Sequence, residues 1–247
     1  MYYPDWLAWE RSVIVGPFSE GDVVSLRAAK KLRIICTELG LAITALQPIL
    51  DFEGCLEQED RDAAFAKAKA FVKITSALGA PVACIASRWG SIVPISHDLD
   101  ILAADLGDLA DFAATVLPPV KVAYEAVAWG EVVNTWSQAW EVVRLVDRPN
   151  LGLLIDTYNW LAREYADPFT LSGLQSEAEE RFSERLQDFG SSVDGSKIFF
   201  LQIADARKMS PPLKPSGEDM PLIQQWSRKH VSHTYLLGVY AADDQSY

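Results

Sequence analysis

The segment VKVAYEAVAWGEVVNTWSQAWEVVRLVDRPNLGLLIDT (Val120–Thr157) decides the fold. Its two ends, VKVAYEAV and LGLLIDT, are apolar at successive positions rather than at alternate ones, which is the pattern of strands buried on both faces. Between them NTWSQAWEVVRLV carries apolar residues at helical spacing. Strand, helix and strand in that order form a parallel unit with a crossover helix. One residue does not belong with the rest: Glu125 places a carboxylate inside the first run. An unpaired buried carboxylate costs roughly several kcal/mol unless a cation or hydrogen-bond donors meet it. It is therefore either a salt-bridged or strand-end glutamate, or a metal ligand or catalytic base.

The same alternation extends outward. LAITALQP, PVACIAS and KIFFLQIAD join the two runs above to make five predicted strands. SLRAAKKLRIICTELG and DRDAAFAKAKAFVKITSALG read as helices stopped by Gly40 and Gly79. HDLDILAADLGDLADFAATVL, NTWSQAWEVVRLV and LQSEAEERFSERLQDFG fill the remaining intervals. A doubly wound sheet would place a Gly-rich phosphate turn after its first strand, and LQPILDFEG is not one. A TIM-type barrel instead gathers polar residues at the C-terminal ends of its strands. Gln47, Arg88, Glu125, Asp156, Gln202 and Asp205 fall there. The expected fold class is therefore α/β, a TIM-barrel-like (β/α) repeat with parallel strands. It is incomplete, since eight strands close a barrel and five are recognisable. Residues 1–247 are expected to form one domain, with the aromatic MYYPDWLAW packing across the sheet or recognising a partner, and a Pro-rich loop after Asp205.

A net charge of −12 without a basic cluster excludes nucleic acid as a partner and disfavours anionic membranes. No apolar run reaches about 18 residues and MYYPDWLAWER is not a secretory signal, so we expect a soluble, cytoplasmic protein acting on a small molecule. Cys36, Cys55 and Cys84 lack C-x-x-C spacing and point to neither a disulfide framework nor a thiolate zinc site; Cys36 and Cys84 look like core residues. An open five-stranded sheet has unpaired edges, which predicts a homo-oligomer.

Glu125, Asp156 and Gln202 occupy comparable places in three successive strands. In a barrel they converge at one end of the axis. An all-oxygen set suits a hard divalent cation such as magnesium, manganese or cobalt, with water and substrate completing the shell. Zinc suits it less well, because His97, His230 and His233 all lie outside the strands.

The stretch VAYEAVAWGEVVNTWSQAWEVVRLVDRPNLGLLIDTYNWLAREYADP, with KIFFLQIADARKMSPPL and the later WSR, resembles the fungal 3-dehydroshikimate dehydratases of the xylose isomerase-like TIM-barrel superfamily. The likeness runs from about LQPILDFEG to the C-terminus and is densest in DRPNLGLLIDTYNW. It implies a lyase that removes water from 3-dehydroshikimate to give protocatechuate. It also implies a divalent metal held by Glu125, Asp156 and Gln202, with Glu125 and Asp156 as the catalytic pair. Ser227 and Arg228 correspond to the anchor for the substrate carboxylate, a role suited to a bidentate guanidinium. Relatives carry a fourth ligand, a Glu on a last strand, and further elements before MYYPDW; neither has a counterpart here. Glu131 and Val132 stand where relatives show a Thr-His pair. Glu53, Glu131 and Asp205 are candidates to replace the fourth ligand.

Asn159, Gln47 and Arg88 are further candidates for binding substrate. Each has a plainer reading as a helix cap, a loop hydrogen bond and a surface ion pair, respectively. The helix QSEAEERFSERLQ reads as solvated. The competing function classes are a metal-dependent lyase, a sugar isomerase or epimerase using similar carbonyl chemistry, and a repurposed, inactive member serving as a binding or assembly module. A nuclease is disfavoured by the lack of a His cluster and a basic groove.

Overall fold

The computed structural model of the chain describes residues 23–206 and 208–214. Helix α1 (Val23–Glu38) leads to strand β1 (Leu46–Ile49), α2 (Gln58–Leu78), β2 (Val82–Ala86), α3 (Leu99–Thr115) and β3 (Lys121–Glu125). Helix α4 (Trp136–Val146), β4 (Leu151–Asp156), α5 (Thr157–Glu164), α6 (Ala178–Ser192) and β5 (Ile198–Gln202) follow. The strands pair in parallel in the order β1-β2-β3-β4-β5. A doubly wound sheet reverses its strand order part-way along; this one never does, which is the barrel-type arrangement.

The period of two along each strand sorts side chains onto two faces. Ala83, Ile85, Val122, Tyr124, Leu151, Leu153 and Ile155 pack against Val72 of α2, Leu102, Leu106 and Leu109 of α3, and Val142 and Val143 of α4 in the main core. Val82, Cys84, Ala123 and Leu154 form a separate cluster, with Phe199 and Phe200 against it, on the opposite face. That second face is concave. Gln202 on β5 donates from Nε2 to Gln47 Oε1 on β1, although the two strands are the first and last of the sheet. In a flat sheet they would stand about 19 Å apart, farther than two glutamine side chains reach.

Local signals account for the helices. Gly79 takes a left-handed conformation to end α2. Asp98 caps α3 by accepting from Asp100 N, and Thr135 starts α4 with a full capping box to Gln138. Helix α6 buries only Ala178, in agreement with its solvated reading.

Two expectations need correction. The first strand is confined to Leu46–Ile49, because the earlier part of LAITALQP has no strand partner; Ile43 packs instead under α1 and α2. Pro48 is tolerated because β1 has a strand neighbour on one side only among the described residues. Second, Cys36 is only partly buried while Cys55 is buried, since α1 turns Ala29 and Leu32 toward α2 and leaves Ile34, Ile35 and Leu39 exposed. Helix α5, to which the apolar pattern assigned no element, follows β4 directly.

Candidate active site

Glu125 ends β3, Asp156 ends β4 and Gln202 ends β5. Glu125 is in register with Leu154, Asp156 lies two residues beyond Leu154, and Asp156 is in register with Gln202. All three side chains therefore leave the sheet on its concave face, at the C-terminal end.

Asp156 is both the last residue of β4 and the N-cap of α5; its Oδ1 accepts from Asn159 N at 2.8 Å. No loop separates strand from helix, so the capping geometry fixes where this carboxylate points. Glu125 Oε1 accepts from Asn159 Nδ2 at 2.8 Å, and Asn159 Oδ1 accepts from Ala128 N at 2.9 Å. Burial, with the neighbouring Asp156 charge adding to it, pushes the Glu125 carboxyl up to about 8 against the lowering bond from Asn159. Burial raises Asp156 as well, and the backbone N–H groups of Asn159 and Tyr158 pull it back. Cys84 lies on the same face; burial and then the Glu125 charge push its thiol up to about 12.

Gln202 donates Nε2 to Gln47, which leaves its carbonyl oxygen as the group outside that bond. Gln47 is thus brought to the constellation as the partner of Gln202, not through a loop backbone bond. Arg88 is placed elsewhere. It is buried, its backbone N–H donates to Glu53 Oε1 at 2.9 Å, and its NH1 donates to Glu53 O at 3.2 Å and to Cys55 Sγ. Neither the substrate contact nor the surface ion pair expected for it describes these bonds. Ser227 and Arg228 lie outside the described residues.

The candidates for a fourth ligand are committed to other partners. Glu53 accepts from Tyr124 Oη at 2.9 Å as well as from Arg88; Tyr124 faces the helices, on the other side of the sheet from Glu125. Glu131 Oε1 accepts from Ser91 N, and exposed Asp205 accepts from Ala206 N. Among the described residues no group of three His, Cys, Asp or Glu side chains comes together. The constellation is two carboxylates and one amide oxygen. That set fits a hard cation: all its donors are oxygens, and positive charge would offset the burial, and then the Asp156 charge, that raise Glu125.

Two features near the site carry no local sequence signal. Ser87 Oγ accepts from Val127 N at 3.0 Å and ties the loop after β3 to the end of β2. Trp89 and Trp129, in the loops after β2 and β3, meet edge to face with centroids 6.0 Å apart. Both pairs join separate loops, so periodicity along one element reveals neither. Among the described residues no helix is long and apolar enough to cross a membrane.

Comparison with known proteins agrees with this architecture. The chain is 33% identical over 226 residues to a 3-dehydroshikimate dehydratase of Neurospora crassa, covering 90% of this chain and 62% of that protein. It is 34% identical over 177 residues to a 3-dehydroshikimate dehydratase of Pseudomonas aeruginosa, covering 72% of this chain and 24% of that protein. The chain thus spans less than two thirds of the length of either relative. A solved xylose isomerase-like TIM barrel/4-hydroxyphenylpyruvate dioxygenase fusion protein superposes with a TM-score of 0.62 at 29% identity, over 82% of this chain and 27% of that one. Residues 8–228 match the family described as xylose isomerase-like TIM barrel, and the chain belongs to that family.

Proposed function

We propose that the chain is a divalent-metal-dependent carbon–oxygen lyase of the 3-dehydroshikimate dehydratase type, converting 3-dehydroshikimate or a related cyclic carbonyl acid to its dehydrated product. The observation that carries this reading is the placing of Glu125 and Asp156 on one face at the C-terminal ends of adjacent strands, in a chain 33% identical to a dehydratase over 90% of its length.

Glu125, Asp156 and Gln202 would hold the cation, with magnesium and manganese the metals this donor set suits. When bound, such a cation supplies Lewis-acid polarisation of a carbonyl oxygen. The chain's own residues supply position and proton control. The N-terminus of α5 orients the Asp156 carboxylate through backbone N–H bonds. Without a cation, burial and then the Asp156 charge favour a proton on Glu125 near neutrality, and a cation held there would take the carboxylate in its ionised form. Gln47 orients the Gln202 amide. Trp89 and Trp129 pack edge to face and join two of the loops at this end of the sheet. Ser227 and Arg228 are assigned the substrate carboxylate on the strength of the resemblance.

The test is direct. Purified protein is incubated with 3-dehydroshikimate and manganese or magnesium, and the ultraviolet absorbance of the aromatic product is followed, with Glu125→Gln in parallel. Turnover that the substitution abolishes is the expected result. No turnover by the unmodified chain would overturn the lyase assignment in favour of a repurposed member of the family.

A further inference from the structure

We propose that Asn159 is a positioning residue that locks Glu125 and Asp156 into one arrangement, and not a group that contacts substrate. This rests on the cation site proposed above and adds to it the device that builds it.

Asn159 is 7% exposed and spends its polar groups on three different segments. Its backbone N–H goes to Asp156 Oδ1 at 2.8 Å, its Nδ2 to Glu125 Oε1 at 2.8 Å, and its Oδ1 receives the Ala128 N–H at 2.9 Å. The last bond decides the one to Glu125, while the bond to Asp156 is made by the backbone. A backbone N–H can only donate, so the amide oxygen must face Ala128 and the amide nitrogen must face Glu125. The side chain cannot flip without breaking both bonds. One residue of α5 therefore fixes the end of β3, the loop that follows it and the cap at the end of β4.

The residue type follows from this. Aspartate has nearly the same shape but no N–H to give, and it would place a third negative charge between two carboxylates. Leucine matches the volume and offers neither donor nor acceptor, leaving the Ala128 N–H and Glu125 Oε1 without their partner. Only a short carboxamide meets both needs from the third residue of the helix.

The experiment compares the wild-type chain with Asn159→Ala, Asn159→Leu and Asn159→Asp. Three readouts are used: Mn2+ affinity by electron paramagnetic resonance, kcat and KM for 3-dehydroshikimate, and a crystal structure of a variant. Groups that orient metal ligands typically cost about 10- to 100-fold in metal affinity or activity when removed. We expect a loss of that size in Mn2+ affinity and in kcat, with KM changed by less than about threefold, and the Glu125 carboxylate displaced in the crystal relative to Asp156, which keeps its backbone bond. A rise in KM with Mn2+ affinity unchanged would assign Asn159 to substrate and overturn the proposal. So would a fall in thermal stability alone, with metal affinity and kcat unaffected. If the wild-type chain binds no Mn2+ and turns nothing over, the lyase assignment fails by itself. The variant's crystal structure then decides this inference: a displaced Glu125 carboxylate supports it, and an unmoved one overturns it.

Discussion

Glu125 and Asp156 share the concave face of the sheet, and the Asp156 charge adds to burial in pushing the Glu125 carboxyl up to about 8. A raised carboxyl binds its proton more tightly in the folded state than in the unfolded one. Its contribution to stability is fully present below the unfolded value, near 4.5, and is lost as pH rises to about 8. Chemical denaturation of the metal-free chain is therefore expected to show stability falling across that window by a few kcal/mol, roughly, for a group so buried. Glu125→Gln should flatten most of the slope. Part of it should remain, because burial raises Glu53 and Asp156 in the same direction. A slope unchanged by the substitution would show that Glu125 is not the group responsible.

Cys84 provides an internal reporter of the same face. Its thiol is buried and pushed up to about 12, so it carries almost no thiolate at neutral pH. Titration with a thiol reagent at pH 8 should label partly exposed Cys36 readily and leave Cys84 unlabelled until the chain unfolds. Rapid labelling of Cys84 in the native protein would show that the concave face is open at this point.

Gly152 permits the close approach of β5 to β4. A Cβ there would fall on Lys197 O and stand 2.8 Å from the Phe199 ring. Gly152→Ala is expected to destabilise the chain by about 1–3 kcal/mol in urea denaturation. Because it shifts β5, it should also weaken the register of Gln202 with Asp156 and reduce Mn2+ affinity. Full stability with undiminished affinity would mean that β5 sits farther away.

Strands β1 and β5 each pair on one side only among the described residues, and Leu201 and Ile203 beside the β5 edge are 56% and 44% exposed. Sedimentation of the whole chain at micromolar concentration is expected to show a dimer or larger homo-oligomer. A stable monomer would mean that these edges are covered within the chain.

Much of the architecture was legible because strands such as LGLLIDT are buried on both faces, and their apolar runs stand out from the amphipathic helices between them. The limits of that signal appear at β1, where Ile43 is apolar because it lies under α1 and α2 rather than in the sheet. They appear again at α5, which begins directly after Asp156. One residue ends the strand and caps the helix, so no turn signal marks the boundary. Of the site residues, Glu125 was conspicuous as a charge in an apolar run, and Gln202 as a polar end to another. The role of Asn159 was not, because its partners Glu125 and Ala128 lie on a different strand and loop. Arg88 misled for a related reason: a cation after a strand end suggests an anion site, but its partner Glu53 is 35 residues away and buried with it.

The central claim is that Glu125, Asp156 and Gln202 act together as one cation site. Calorimetric titration of Mn2+ into the metal-free wild-type chain and into Glu125→Gln, Asp156→Asn and Gln202→Ala tests it most directly. The expected result is one Mn2+ per chain for the wild type and a loss of at least about tenfold in affinity for each variant. Equal affinity in all four proteins, or no binding by the wild type, would contradict it.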